Sequence, residues 1–273
     1  MNLDVLATPL HREIDLSGKR RVIAFGDVHG SIEALRRALD EVCFDAAAGD
    51  HLIGLGDWLD RGPDVLEVLD FIEEHQGHLD YVRGNHEMLL WNAAEKHRAT
   101  TAADLIRNGG IWAMTEPHYD EERSNNYSLR LKGRAAKLRL VINAAPVALT
   151  VTTPDGRRVG FVHADGPRRS WASFTQKLER ETAYGRDKQS GVEWDALWSR
   201  EAFDAVKRAI NKGDLHKVDV TVNDIDHVIH GHSITRQILH HCNRSWIDTG
   251  AYKTGILTAI DVDLMIAEGS RGS

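Results

Sequence analysis

Three short apolar runs stand out near the start of the chain, at residues 21–25, 51–55 and 79–82. Each ends in glycine and polar residues, and between them apolar positions recur at helical spacing. The runs are too short for helices and too apolar for exposed loops, so they predict buried strands. After the first run, Ser31 is a good N-cap, and Ile32, Leu35 and Leu39 follow on one face. After the second, Pro63 marks a helix start, with Val65, Leu66, Leu69 and Ile72 as its apolar face. Strand, loop and helix alternate. That order predicts a mixed α/β fold with a largely parallel sheet core and ligands gathered at the carboxyl ends of its strands.

From about residue 88 to 145 the pattern turns helical and less regular, with candidates at 89–95, 102–107 and 135–141 and an interruption at Gly109-Gly110. This predicts a helical insertion or cap over about residues 91–143 within a single domain spanning 1–273. Residues 147–152 and 158–163 alternate around Pro154-Asp155-Gly156, a turn signal that predicts a hairpin and antiparallel pairing in the second half. Residues 166–195 are polar and weakly patterned and read as loop over the site. A helix is expected at 202–210 and strands at 227–230, 237–241, 245–248 and 255–262. The first twenty residues read as a polar leader with an edge strand.

Composition narrows the class. The chain of 273 residues is 42% hydrophobic and 27% charged, enough for one full core in a soluble protein. A net charge of −7 argues against nucleic acid or an anionic membrane as partner, so phosphate would have to be gripped locally, by particular arginines or by metal ions. Two distant cysteines, Cys43 and Cys242, make no disulfide framework and are expected as reduced, mostly buried thiols. No apolar stretch has signal-peptide or bilayer-spanning length, so a cytoplasmic location is expected.

The candidate chemistry sits where the strands end. Gly26-Asp27-Val28-His29-Gly30, Gly56-Asp57 and Gly84-Asn85-His86 follow the first three strands, and His163 and His232 follow two later ones. Asp27, His29, Asp57, Asn85, His163 and His232 are oxygen and nitrogen donors without a thiolate, a set suited to Mn²⁺, Fe or Zn²⁺. Asp57 could bridge two ions, with Asp27 and His29 completing one site and Asn85, His163 and His232 the other. Such a pair would supply hydroxide near neutral pH for direct attack on phosphorus. His86, beside Asn85, would protonate the leaving alkoxide as general acid. Asp60 would orient that imidazole, and the planar fork of Arg61 would grip phosphate oxygens.

These blocks, extended to Gly56-Asp57-Trp58-Leu59-Asp60-Arg61-Gly62 and Gly84-Asn85-His86-Glu87, resemble the three signature blocks of the phosphoprotein phosphatase family of calcineurin-like metallophosphoesterases. His163-Ala164-Asp165 resembles the next motif in its phage lambda and bacterial branch, and Leu197-Trp198-Ser199-Arg200-Glu201 is similar to a Trp-Asn-Arg block, with Ser199 in place of the asparagine. Gly231-His232 and Ile247-Asp248-Thr249-Gly250-Ala251 resemble the closing blocks. The resemblance implies a four-layer β-sandwich flanked by helices and a dinuclear centre usually active with Mn²⁺. It implies hydrolysis of phosphoserine and phosphothreonine in proteins, with phosphotyrosine and small aryl phosphates as further substrates. It also makes Arg200 and Asn85 phosphate contacts beside Arg61.

Two other readings stay open. A nucleotide hydrolase of the diadenosine tetraphosphatase type would share the metal site, although those enzymes usually carry Ala in place of Asp60 and Asp in place of Glu87. A catalytically dead binding module would show an incomplete ligand set, whereas here every ligand and the acid are present.

Overall fold

The computed structural model describes residues 9–96, 99–115, 134, 137, 138, 142, 144–181 and 191–269. Strands β2 (Arg21–Phe25), β3 (Asp50–Gly54) and β4 (Leu79–Tyr81) run parallel, and β10 (Ala259–Asp261) lies antiparallel along the other side of β2. These four form one sheet. The second has six strands, in the order β1 (His11–Asp15), β5 (Ala148–Thr152), β6 (Arg158–Val162), β7 (His227–His230), β9 (Arg244–Trp246) and β8 (Leu239–His241). In it β5 and β6 form the expected antiparallel hairpin, and β1 is the edge strand that the leader predicts.

Alternation along the strands explains the layers. In β2, Val22 and Ala24 join Leu149, Val151, Val159 and Phe161 of the larger sheet in a core between the sheets. Ile23 and Phe25, on the opposite face, pack with Ile32 and Leu35 of α1 (Ile32–Glu41) and with Val68, Leu69 and Phe71 of α2 (Glu67–Glu74). Both faces of β2 are therefore dry, which is why it reads as a continuous apolar run. Beyond the larger sheet, α6 (Trp171–Glu181) and α7 (Val192–Trp198) cover Ala148, Val162 and Val228, and α8 (Glu201–Lys212) packs Phe203 and Val206 near Trp246. Helix, sheet, sheet and helix give the expected four layers.

Several local expectations need correction. The segment 166–195 is not all loop: Trp171, Phe174 and Leu178 recur at helical spacing and bury the inner face of α6. Helix α2 begins at Glu67 rather than near Pro63, because Asp64 N–H first donates to Gly30 O at 3.0 Å and holds the chain in a bend. The stretch 255–262 follows the single turn of α9 (Ala251–Thr254), and only Ala259–Asp261 of it is strand. Val262 already opens α10 (Val262–Gly269), whose Met265 and Ile266 join the core between the sheets. Cys43 and Cys242 are exposed, each at positive φ in a tight turn, rather than buried.

The region of the expected insertion holds α3 (Asn85–Lys96), α4 (Ala99–Arg107) and α5 (Trp112–Thr115). Of the helix predicted at 135–141, only Lys137 and Leu138 are described, both helical; the rest lies outside the described residues. Among the described residues, no helix is long and apolar enough to cross a membrane.

Candidate metal centre

The loops after β2, β3 and β4 converge with the loops after β6 and β7. Asp27, His29, Asp57, Asn85, His163 and His232 come together there, none of them more than 8% exposed. Two groups of potential ligand atoms lie within 4.8 Å of one another: His29, Asp57 and His86, and Asp57, His163 and His232. Asp57 belongs to both, the position expected of a bridging carboxylate. Asn85 Oδ1 is 2.9 Å from His163 Nε2 and so joins the second group. Asp27 falls outside both: its two oxygens accept the His232 backbone N–H at 3.0 and 3.1 Å, and Oδ1 lies 3.9 Å from His163 Nδ1.

The backbone is bent hard to achieve this. Eight non-glycine residues among those described have positive φ, and five are at the centre: His29, Asp57, Asp60, Arg61 and His232. Such conformations persist only where the surroundings over-determine them. Here Glu87 does part of that holding. One of its oxygens accepts the N–H groups of Asp57 and Gly84 (2.9 and 2.8 Å), the other those of Trp58 and Leu59 (2.9 and 3.3 Å). The opposite wall needs glycine, since a Cβ on Gly231 would run into Asp27 Oδ1.

Ring orientations are also fixed. His29 Nδ1 and His163 Nδ1 bond the carbonyls of Leu59 (2.6 Å) and Leu55 (2.7 Å), which turns each Nε2 toward the centre. His86 Nδ1 meets Asp60 Oδ2 at 2.7 Å, with both side chains fully buried. Arg61 Nη2 donates to His86 Nε2 at 2.9 Å and Nη1 to His29 Nε2 at 3.2 Å, while its guanidinium lies 4.7 Å over the Tyr252 ring. On the other side Arg200 donates to His232 Nε2 at 3.3 Å and to His232 O at 3.1 Å.

The charges are strained as well. Burial, and then the neighbouring Asp248, push the Asp27 carboxyl well above its ordinary value. Burial drives the His29 imidazole down to about 3. For His163 burial acts the same way, but the carboxylates of Asp57 and Asp27 overcome it and raise the ring to about 10. A cluster of buried carboxylates set among imidazoles is suited to a divalent cation. The donor set of carboxylate, amide and imidazole fits such an ion.

Three participants were not singled out from the sequence: Glu87 as the backbone anchor, Asp248 beside Asp27, and Trp112, whose indole reaches Asp60. The first two lie inside the quoted blocks; Trp112 follows the Gly109-Gly110 interruption.

Known proteins resemble this chain. Serine/threonine-protein phosphatase 1 of Salmonella typhimurium is 29% identical over 252 residues, covering 91% of this chain and 95% of that protein. A symmetrical bis(5'-nucleosyl)-tetraphosphatase of Proteus mirabilis is 48% identical over 96 residues, covering 35% of this chain and 33% of that protein. The crystal structure of a protein provisionally assigned as a diadenosine tetraphosphatase superposes with a TM-score of 0.55 at 18% identity, covering 91% of each chain, a likeness of fold alone. The calcineurin-like phosphoesterase family model matches residues 20–236, well over half of the sequence, and the chain belongs to that family.

Proposed function

We propose that this protein is a metal-dependent phosphomonoesterase that hydrolyses phosphoserine and phosphothreonine in proteins, with phosphotyrosine and small aryl phosphates as further substrates. The observation that carries the reading is the buried His86–Asp60 pair, 2.7 Å apart, set between Arg61 and the bridging position of Asp57. The similarity to a bacterial serine/threonine-protein phosphatase over nine-tenths of the chain supports it. A cytoplasmic location fits two exposed thiols, which stay reduced there.

Asp27, His29 and Asp57 would hold one divalent ion, and Asp57, Asn85, His163 and His232 the other, with Mn²⁺ as the expected metal and Fe or Zn²⁺ compatible. When bound, such ions polarise phosphoryl oxygens and draw a nucleophile from water near neutral pH. The side chains do the rest. Arg61 and Arg200 reach the centre from opposite sides, and their planar forks match phosphate oxygens, as does the Asn85 amide. A guanidinium only donates, so with Arg61 on it His86 Nε2 accepts, and the ring proton sits on Nδ1 facing Asp60. With Arg61 turned to the substrate phosphate, Nε2 is free to carry a proton, and the Asp60 carboxylate stabilises the imidazolium. That proton then passes to the serine or threonine oxygen as the P–O bond breaks.

A second reading, hydrolysis of a dinucleoside tetraphosphate, is favoured by the 48% identity to the Proteus enzyme over 96 residues. Both are tested by stripping the protein of metal, restoring Mn²⁺ and measuring phosphate release. The panel is a phosphoserine peptide, a phosphotyrosine peptide, para-nitrophenyl phosphate and diadenosine tetraphosphate. Mn²⁺-dependent turnover of the phosphopeptides with the dinucleotide untouched is the expected result. Preference for the dinucleotide would move the substrate assignment and keep the site.

A further inference from the structure

Trp112 reaches the centre from outside the convergent loops. It is the first residue of α5, and its indole Nε1–H donates to Asp60 Oδ1 at 2.6 Å. The other oxygen of the same carboxylate, Oδ2, faces His86 Nδ1 at 2.7 Å. Asp60 and His86 are both fully buried, so no solvent shell fixes the carboxylate about its bond to Cβ. An indole N–H can only donate. It therefore pairs with one oxygen of the carboxyl group and leaves the second directed at the imidazole.

The segment carrying Trp112 is held against the same loop. Gly109 adopts φ +100°, and a Cβ there would come within 2.9 Å of Arg61 N, so glycine lets the turn between α4 and α5 lie flat on residues 60 and 61. The Arg61 N–H points to Gly109 O at 3.5 Å, a weak bond along that contact. Beneath it, Leu105 and Ala113 are buried in the core under the smaller sheet, which fixes the height of α5 above Asp60. Asp60 and Arg61 both have left-handed backbone, at φ 67° and 69°, a conformation that needs outside support.

We infer that Trp112 is a positioning residue for the general acid: it fixes the Asp60 carboxylate, and through it the His86 imidazole, at the angle from which the leaving oxygen is protonated. This rests on the reading of His86 as that acid. Proton donation matters most when the departing oxygen is strongly basic and least when it leaves as a stabilised phenoxide. Loss of Trp112's N–H should therefore slow esters in order of leaving-group basicity. A packing role would slow them all alike.

The test compares wild type, Trp112→Phe and a protein with 3-benzothienylalanine at position 112, an isostere with sulfur where indole has N–H. The isostere keeps the shape of the ring, so the proposal is decided even where Phe loosens the segment. kcat is measured with Mn²⁺ on a phosphoserine peptide, phenyl phosphate and para-nitrophenyl phosphate, and bound metal is counted. Expected is a loss of about tenfold or more on the phosphoserine peptide, a smaller one on phenyl phosphate, and less than about twofold on para-nitrophenyl phosphate, with KM and metal content unchanged. In an Asp60→Asn background the replacement should add little, because the acceptor it acts through is already altered. Equal losses on every ester, or none, would overturn the proposal. Failure of wild type on the phosphoserine peptide alone would count against the substrate assignment, leaving Trp112 to be judged on the two aryl esters.

Discussion

At the amino ends of β2 and β3 the buried Asp50 carboxylate accepts from two arginines: Arg20 through Nε and Nη2 (2.7 and 2.6 Å), and Arg21 through Nε and Nη2 (3.2 and 2.6 Å). The Asp45 N–H adds a fifth contact at 3.0 Å. At the carboxyl ends of the same strands, Asp57 lies against the imidazoles of His29, His86 and His163, and Asp27 against the His232 N–H. Burial opposes ionisation at both ends. Around Asp50 the guanidiniums overcome it and hold the carboxyl well below the usual carboxylate range. At the other end the outcome is split. The His163, His86 and His29 imidazoles overcome burial at Asp57 and hold it well below the usual range. Burial prevails at Asp27, pushed well above its ordinary value, and at Glu87, pushed up to about 7. One end carries its own cations and is finished. The other gathers buried carboxyls whose charge its imidazoles meet only at Asp57, an arrangement that a divalent cation would complete.

If that division is correct, substitutions at the two ends should separate chemistry from stability. The largest effect on turnover belongs to His86. His86→Asn removes the proton donor at Nε2 while an amide can still reach Asp60. Turnover of a phosphoserine peptide should fall about 10²–10⁴-fold, with bound metal and melting temperature close to wild type. The loss on para-nitrophenyl phosphate should be far smaller. Full activity of the His86→Asn variant on the peptide would remove His86 as the acid.

Glu87→Gln tests the join between the two properties. The amide would keep one accepting oxygen but turn its NH2 toward one of the two donor pairs, Asp57 with Gly84 or Trp58 with Leu59, which now converge on a carboxylate. Leaving buried donors unpaired costs about 3–5 kcal/mol in total. Here chemistry and stability should fall together: roughly a hundredfold in kcat, fewer metal equivalents, and a melting temperature lower by several degrees. Calorimetry and metal analysis on one preparation check this. Loss of activity at an unchanged melting temperature would show that Glu87 does not hold the ligand loops.

The same contrast explains what could be read from the chain. Asp27, His29 and Asp57 were legible because each follows a short run buried on both faces, Asn85 and His86 because they follow a third, half-buried run, and glycines beside all of them signal a sharp turn. His163 and His232 were legible by the same rule in the larger sheet. Helix α6 was not, since its buried positions Trp171, Phe174 and Leu178 are spaced among polar residues and the composition suggested a loop. The role of Glu87 needs four N–H groups from two loops, and no local pattern encodes that convergence. The Trp112–Asp60 bond joins residues 52 apart, so only packing of the intervening helices reveals it. The exposure of Cys43 and Cys242 depends on left-handed turns that the flanking residues do not announce.

The smallest effect on turnover, and the sharpest check on the division, is expected at Asp50. Asp50→Asn removes a charge that two guanidiniums share, far from the reacting atoms. It should lower stability by about 2–3 kcal/mol and leave kcat and metal content within about twofold of wild type. The pH dependence fixes the origin of that loss. Because the folded carboxyl is held below the value of about 3.9 found in unfolded chains, its contribution is complete above that value. It is lost as pH falls through the depressed folded value. Unfolding by urea at a series of pH values should therefore show a constant gap between wild type and Asp50→Asn from neutral pH down to about 5. The gap should narrow as the solution becomes more acid than the unfolded-state value. A gap unaffected by acid would mean that packing around Asp50, rather than its charge, joins β2 to β3, and the amino end would then owe nothing to its arginines.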